Sequence, residues 1–238
     1  MDYFYCPPEK ISTNSLLIDG DEFAHLVHVM RKKEGDEIGV VNGRGTAYRV
    51  RLGVLKKHMA HAEILGTMPR HNEPSVDVTL AVGVLKNPSK FDFLIEKATE
   101  IGVKHFVPLL THRTIPGHAK VDRWQKLTLA AMKQCGRSFW PTVSKLMTLD
   151  ELLTQRDRFD LNCIAHEDPA GSTHIRKLIT KKYGSILILL GPEGGFDDAE
   201  VQRCLELGFT HIYLGERRLR TETAAVVTAG FCLLSEGA

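Results

Sequence analysis

The sequence predicts an α/β protein in two parts, a small β-barrel-like module followed by a domain built on a mostly parallel sheet. Three observations predict it. From Val76 onward, apolar strand patterns alternate with helical ones, as in a parallel sheet covered by helices. Before that point, short strand patterns surround a single helical one. Between the two, Gly66 to Ser75 ("GTMPRHNEPS") breaks both periods and is polar, which places a linker there. The parts cover residues 1–70 and 75–238.

In the first part, "DEFAHLVHVMR" carries Phe23, Leu26, Val27 and Met30 on one helical face. A hairpin follows: Ile38 and Val40 precede a turn at Asn42-Gly43-Arg44-Gly45, and Tyr48, Val50 and Leu52 come after it. The second part opens on a strand with apolar residues at Val76, Val78, Leu80, Val82 and Val84. "SKFDFLIEKATEIGV" then sets Phe91, Leu94, Ile95, Ala98 and Ile101 at helical spacing, with Ser89 as N-cap and Gly102 just past the end. "HFVPLL", "NCIAHED", "SILILLG" and "HIYLG" are further strands. "DRWQKLTLAAMKQC", "HIRKLITKKYG", "DDAEVQRCLELG" and "TETAAVVTAGFCLL" are the helices between and after them.

Composition narrows the function classes. The 238 residues are 43% hydrophobic, enough for a packed core. A formal net charge of +2 creates no overall field toward nucleic acid, so a phosphate-bearing partner has to be met by local patches. The five cysteines, Cys6, Cys135, Cys163, Cys204 and Cys232, stand far apart with no CxxC, and the last three lie in apolar stretches and read as buried free thiols of a reducing compartment. The N-terminus lacks a signal-like pattern and no apolar run reaches membrane length, so a soluble cytoplasmic protein is expected. Gly43 and Gly45 form a lone GxG in a hairpin, and there is no GxxxxGK[ST], HExxH or GxSxG. His25 and His28 share a helix face without further ligands at metal spacing, so no metal is expected.

Two segments carry chemistry. "SILILLGPEGGFDDAEV" is a strand, a tight glycine turn and a helix whose Asp197 caps it while Glu200 closes a capping box. Ligands of open α/β sheets sit outside the carboxyl ends of such strands. "YLGERRLRTETAAVVTAG" repeats the pattern, with Leu214-Gly215, a polar loop and a helix opening at Thr221 to Thr223. Two such loops leaving neighbouring strands frame one crevice. The small residues from Ala224 to Gly230 permit close packing against another helix or subunit.

"LLGPEGGF" followed by "LGERRLRTETA" resembles the C-terminal signature of the ribosomal RNA small subunit methyltransferase E family. "GVLKNPSKFDFLIEKATEIGV", "DRWQKLTLAAMKQCGRSFWP" and "HLVHVMRKKEGDEIGVVNGRG" resemble further segments of it, so the likeness covers most of the chain. The resemblance implies an N-terminal PUA-like β-barrel domain that binds RNA and a C-terminal SPOUT-type domain tied in a trefoil knot. It implies S-adenosylmethionine as methyl donor, N3 of a specific uridine in 16S ribosomal RNA as acceptor, the small ribosomal subunit as context and a homodimer formed by the methyltransferase domains. Two departures stand out: Asp2 replaces an arginine that members often carry, and Cys135 replaces a serine.

The resemblance also implies site residues. The donor falls to Ala165, His166, Leu190, Gly191, Glu193, Gly194 and Gly195, and to Leu214, Gly215, Leu219, Arg220, Thr221 and Thr223. Arg137 and Arg220 hold the uridine edge or nearby phosphates, and Glu222 serves as base or orients the ligand. The alternative for Arg220 and Glu222 is a bridge between subunits. Arg31, Lys32 and Lys33, with Arg113, Lys120, Arg123, Lys133 and Arg137, are the phosphate-contact candidates. Phe139 or Trp140 either stacks on an extruded base or belongs to the core. The rival readings are a catalytically idle RNA-binding protein with a vestigial pocket, and an α/β enzyme with a nucleotide cofactor.

Overall fold

The computed structural model describes residues 1–167, 171–178 and 182–234. Contacts divide the chain into two units, one of Met1–Glu73 with Leu129–Trp140 and the other of Pro74–Thr128 with Pro141 onward. The grouping of Leu129–Trp140 with the first unit departs from a linear division at residues 70 and 75.

The first unit contains β1 (Tyr3–Tyr5), β2 (Ser15–Asp19), α1 (Gly20–Ala24), β3 (Glu37–Val41), β4 (Thr46–Lys56) and β5 (Met59–Pro69). Its sheet runs β1-β3-β4-β5-β2, with β1 parallel to β3 and the other pairs antiparallel. Phe4, Leu16, Ile18, Leu26, Ile38, Val50 and Leu52 form its core. Register shifts near Arg49/Val50 and Leu52/Leu55 increase the local twist. The helix expected over Asp21–Arg31 is shorter as an α-helix. After Ala24 it widens into a π-type turn over His25–Val29, where the Met30 N–H reaches the His25 carbonyl at 2.9 Å. Phe23 and Leu26 still face the core, with Val27 and Met30 packed against it.

The expected linker is only partly one. β5 continues through Gly66–Pro69 because β4 pairs with it there, Thr46 against Pro69 and Ala47 against Met68. Backbone pairing to a neighbouring strand overrides the polarity that suggested a break. At the β3–β4 turn, Asn42 Oδ1 accepts from the N–H groups of Arg44 and Thr46 at 2.8 and 3.1 Å. Gly45 there has φ +97°, and a methyl group on it would lie 2.5 Å from the Phe139 ring.

The second unit contains β6 (Asp77–Gly83), α2 (Pro88–Ile101), β7 (His105–Leu110) and the start of α3 (Val121–Cys135). There follow β8 (Thr142–Val143), β9 (Met147–Thr148), α4 (Leu149–Leu153), β10 (Leu161–Ala165), β11 (Thr173–His174) and α5 (Ile175–Leu178). It ends with β12 (Ser185–Leu190), α6 (Asp198–Glu206), β13 (Thr210–Tyr213) and α7 (Thr221–Leu233). The sheet runs β11-β13-β10-β12-β6-β7-β8, with β9 beside β7, and every pair is parallel. The helix expected over "HIRKLITKKYG" and the end of "NCIAHED" lie partly outside the described residues.

β6 is buried on both faces, Thr79, Ala81 and Gly83 included, as a central strand of a parallel sheet must be. α2 is capped by Asn87, whose Oδ1 accepts from the Ser89 N–H at 3.0 Å, and not by Ser89 itself. Pro88 lacks an N–H and takes the first helical position, which moves the cap upstream. α6 has the capping box of Asp197 and Glu200 that the sequence predicts. α7 packs along α2 and buries Ala225, Thr228, Ala229 and Cys232, so much of its small-residue face is covered within the chain. No described helix is long and apolar enough to cross a membrane.

Burial raises the thiols of Cys163, Cys204 and Cys232 to about 12 and that of Cys6 to about 11. Because the thiolate is the reactive species, these four should be inert in the folded chain. Titration with Ellman's reagent should therefore detect only half-buried Cys135 rapidly in native protein, and all five cysteines in denaturant.

Candidate functional site

A parallel sheet presents all its strand C-termini along one edge, and the loops after β10, β12 and β13 leave from it. β12 and β13 are not neighbours: β10 lies between them and pairs with both. The crevice expected from two loops is therefore framed by three.

The turn after β12 is closed by contacts that admit no Cβ. On Gly191 a methyl group would lie 2.6 Å from the Gly195 carbonyl carbon, and on Gly83 it would lie 2.5 Å from the Pro192 nitrogen. Gly195 takes φ +70°, and its N–H donates to the Pro192 carbonyl at 2.9 Å. Side chains brace the outside of the turn. Glu193 Oε1 accepts from the Lys86 N–H at 2.9 Å, and Arg113 Nη1 donates to the Gly194 carbonyl at 2.8 Å. The His112 N–H donates to Glu200 Oε1 at 2.8 Å.

The loop after β13 turns at Gly215, φ +114°, and ends where α7 begins. Arg220 occupies the N-cap of α7 without a side-chain capping bond. Thr221 Oγ1 donates to the Pro192 carbonyl at 3.1 Å and ties this loop to the turn after β12. Arg218 donates to Glu167 Oε1 at 2.9 Å, joining it to the loop after β10. Glu222 is buried. Its Oε1 lies 3.4 Å from Lys90 Nζ on α2, and its Oε2 has no hydrogen-bond partner.

These loops enclose a cavity of about 600 Å³. Ala165, His166 and Glu167 line it from β10, Leu190 to Glu193 and Gly195 from β12, and Ile212 to Leu219 from β13. Arg220, Thr221, Glu222 and Ala224 close it from α7, and Lys90 from α2. The volume suits a small organic molecule, with backbone groups held close by the glycines and one buried carboxylate among the lining.

The family described as RNA methyltransferase domain matches residues 71–232, and the one described as RNA methyltransferase PUA domain matches residues 18–65. The ribosomal RNA small subunit methyltransferase E of Synechocystis is 31% identical over 228 residues, 92% of this chain and 73% of that one. The chain belongs to the ribosomal RNA small subunit methyltransferase E family. The protein of that name from Bacillus subtilis is 31% identical over 87% of this chain and 85% of its own. The crystal structure of the Neisseria gonorrhoeae protein of that name, bound to S-adenosyl methionine, superposes with a TM-score of 0.84 at 33% identity. It covers 96% of this chain and 95% of that one. The first unit thus carries the PUA-type domain and the second the parallel-sheet domain.

In this member of the methyltransferase E family, most residues expected to hold a donor meet in one cavity. Ala165, His166, Leu190, Gly191, Glu193, Gly195, Leu214, Gly215, Leu219, Arg220 and Thr221 all line it, as does Glu222. Gly194 and Thr223 do not. The Gly194 carbonyl is engaged by Arg113, and Thr223 is exposed on α7, one residue beyond the face that carries Glu222.

Arg137, expected to hold the uridine edge or nearby phosphates, is not among the residues that line this cavity. It belongs to the first unit, its side chain is 3% exposed, and its Nη2 donates to Glu73 Oε2 at 2.8 Å. Glu73 Oε1 also accepts from the N–H groups of Ser138 and Phe139, both at 2.8 Å. Burial against a carboxylate gives this arginine a structural role within the first unit. Trp140 meets Tyr5 edge-on with ring centroids 5.3 Å apart, and Phe139 covers Gly45, so both pack within the first unit.

The phosphate-contact candidates divide the same way. Lys32 pairs with Asp2 at 2.7 Å, Lys133 pairs with Glu22, and Arg123 grips Asp92 at 2.8 Å while remaining 61% exposed. Arg31, Lys33 and Lys120 are exposed. The reading of the sequence missed Glu73, Lys90, Glu167 and Arg218. One signal was present for Lys90: a lysine in the first turn of a helix opposes the helix dipole, which asks for a counter-charge.

Arg137→Ala leaves Glu73 buried without its cation and should cost about 3–5 kcal/mol of stability. Urea denaturation checks this. Arg137→Met combined with Glu73→Gln should cost markedly less, because no buried charge is then left unpaired.

Proposed function

We propose that this chain methylates N3 of a specific uridine in 16S ribosomal RNA, with S-adenosylmethionine bound in the three-loop cavity as the methyl donor. One observation carries the reading: the cavity joins glycine-tight backbone at two strand ends to a buried carboxylate, in a chain 33% identical to a relative crystallised with that donor. The residues present fit such a ligand. Gly195 has open space where a Cβ would stand and lets backbone approach a flat base, while Gly191 closes the turn that carries it, and the sequence has no phosphate-cradling motif to demand a nucleotide phosphate. Backbone of Leu190, Gly191, Leu214 and Leu219 would hold the adenine and ribose.

When bound, the donor supplies a methyl carbon on a positively charged sulfur, so in-line positioning is most of what the protein must provide on that side. The acceptor asks for more. N3 of uridine carries a proton and becomes a competent nucleophile once the proton leaves. Glu222 takes that proton. Arg220, one residue from the start of α7, stabilises the negative charge that develops at the O2 or O4 edge. Arg31, Lys33 and Lys120 remain as phosphate contacts.

The reading extends to organisation. Residues 1–70 act as the RNA-binding PUA-like barrel, and residues 75–238 as a SPOUT-type, trefoil-knotted catalytic domain. The working form is a homodimer through the second domains, acting in the cytoplasm on the small ribosomal subunit. These points rest on family membership. An idle RNA-binding protein is not supported, since the relatives carry the methyltransferase name.

Mass-spectrometric mapping of 16S ribosomal RNA from cells lacking the protein should show one uridine without its N3 methyl group. Calorimetry should detect S-adenosylmethionine binding and none for ATP or NAD. Loss of a general base costs about a hundredfold or more. Glu222→Gln should therefore lower the single-turnover rate by that order while changing donor affinity little, and higher pH should restore part of the rate. An unchanged saturated rate would remove Glu222 from the chemistry.

A further inference from the structure

On the reading that Glu222 takes the N3 proton, we infer that Lys90 is the residue that positions it. Its ammonium holds the Glu222 carboxylate in place at the cavity wall. Three observations converge. Lys90 Nζ lies 3.4 Å from Glu222 Oε1, and Oε2 of the same carboxylate is buried with no hydrogen-bond partner. Both residues line the cavity, and the Glu222 side chain is only 11% exposed. Lys90 stands in the first turn of α2, where the helix dipole repels a cation, and the Glu222 carboxylate offsets that cost.

Other charges around Glu222 are engaged elsewhere or lie on other elements. Glu167 pairs with Arg218, and Glu193 accepts the Lys86 N–H. His166, Glu216 and Arg217 line the cavity from the loops after β10 and β13, and Arg220 is the N-cap of α7 itself. Of the elements packed against α7, α5 brings Arg176, over the Phe231 ring, and Lys177. β6 brings only Asp77, paired with Lys104, and β12 brings no charged side chain. Among the described residues, Lys90 makes the ion pair to Glu222.

The ion pair fixes where the Glu222 carboxylate lies relative to the cavity. The proton moves from N3 to Glu222. Lys90 therefore acts through Glu222, by holding the carboxylate in the place from which it accepts that proton.

The test is single-turnover methylation of small ribosomal subunits at saturating S-adenosylmethionine. Lys90→Met should lower the saturated rate about tenfold while changing donor affinity little. Lys90→Arg, which keeps a cation there, should restore most of that rate. On a Glu222→Gln background, Lys90→Met should add less than about a twofold loss, since coupled residues do not act independently. Melting curves and donor affinity verify folding, and Lys90→Gln takes the place of Lys90→Met if the latter does not fold. An unchanged saturated rate in Lys90→Met, or the same loss with Glu222 already gone, overturns the positioning role while leaving the methyltransferase reading intact. A wild-type protein that forms no methyluridine overturns both.

Discussion

The backbone of the turn after β12 lies closer to its own chain and to the end of β6 than any side chain permits. Gly191 meets Gly195, and Gly83 meets Pro192, at separations where a Cβ would sit 2.6 Å or less from the facing atoms. Much of the second unit is arranged around that closure. Pro192 also accepts the Thr221 hydroxyl, so the first turn of α7 is set by the same few residues. α7 then lies along α2, and this brings Glu222 to Lys90. A cavity that looks like an assembly of separate loops is thus the consequence of one tight backbone approach at the centre of a parallel sheet.

Two buried ion pairs show how similar chemistry serves different ends. In Arg137–Glu73 both carboxylate oxygens are engaged, by the guanidinium and by two backbone N–H groups. Such a pair is complete and holds the chain together. In Lys90–Glu222 the ion pair is longer, at 3.4 Å, and one oxygen lacks a donor. An incomplete pair is costly to keep in a folded protein. The two pairs differ in that missing hydrogen bond.

Much of this was legible in the residues. The alternation after Val76 announced the parallel sheet, and the capping box at Asp197 and Glu200 marked α6 where it stands. The glycine turns announced the cavity, because a ligand at a strand end needs backbone without side chains. What was not legible depended on pairing across long separations. The polar run at Gly66–Pro69 is a strand only because β4 lies beside it, and Arg137 is buried only because Glu73, in the same polar region, folds onto it. Local composition assigned the run to a linker, and the family resemblance assigned Arg137 to the substrate. The order of strands was likewise hidden: nothing in "NCIAHED" or "HIYLG" says that β10 separates β12 from β13.

The pairing of β6 with β12, Asp77 against Ser185 through Val82 against Leu190, joins segments about a hundred residues apart. During synthesis at about 5–20 residues per second, that distance corresponds to roughly 5–20 seconds of elongation. Throughout that interval β6 is apolar on both faces, with β7 available along one edge and its other edge waiting for a strand not yet made. The nascent chain must therefore carry an open, aggregation-competent edge until β12 emerges, which makes this stretch the natural client of whatever shields growing chains at the ribosome.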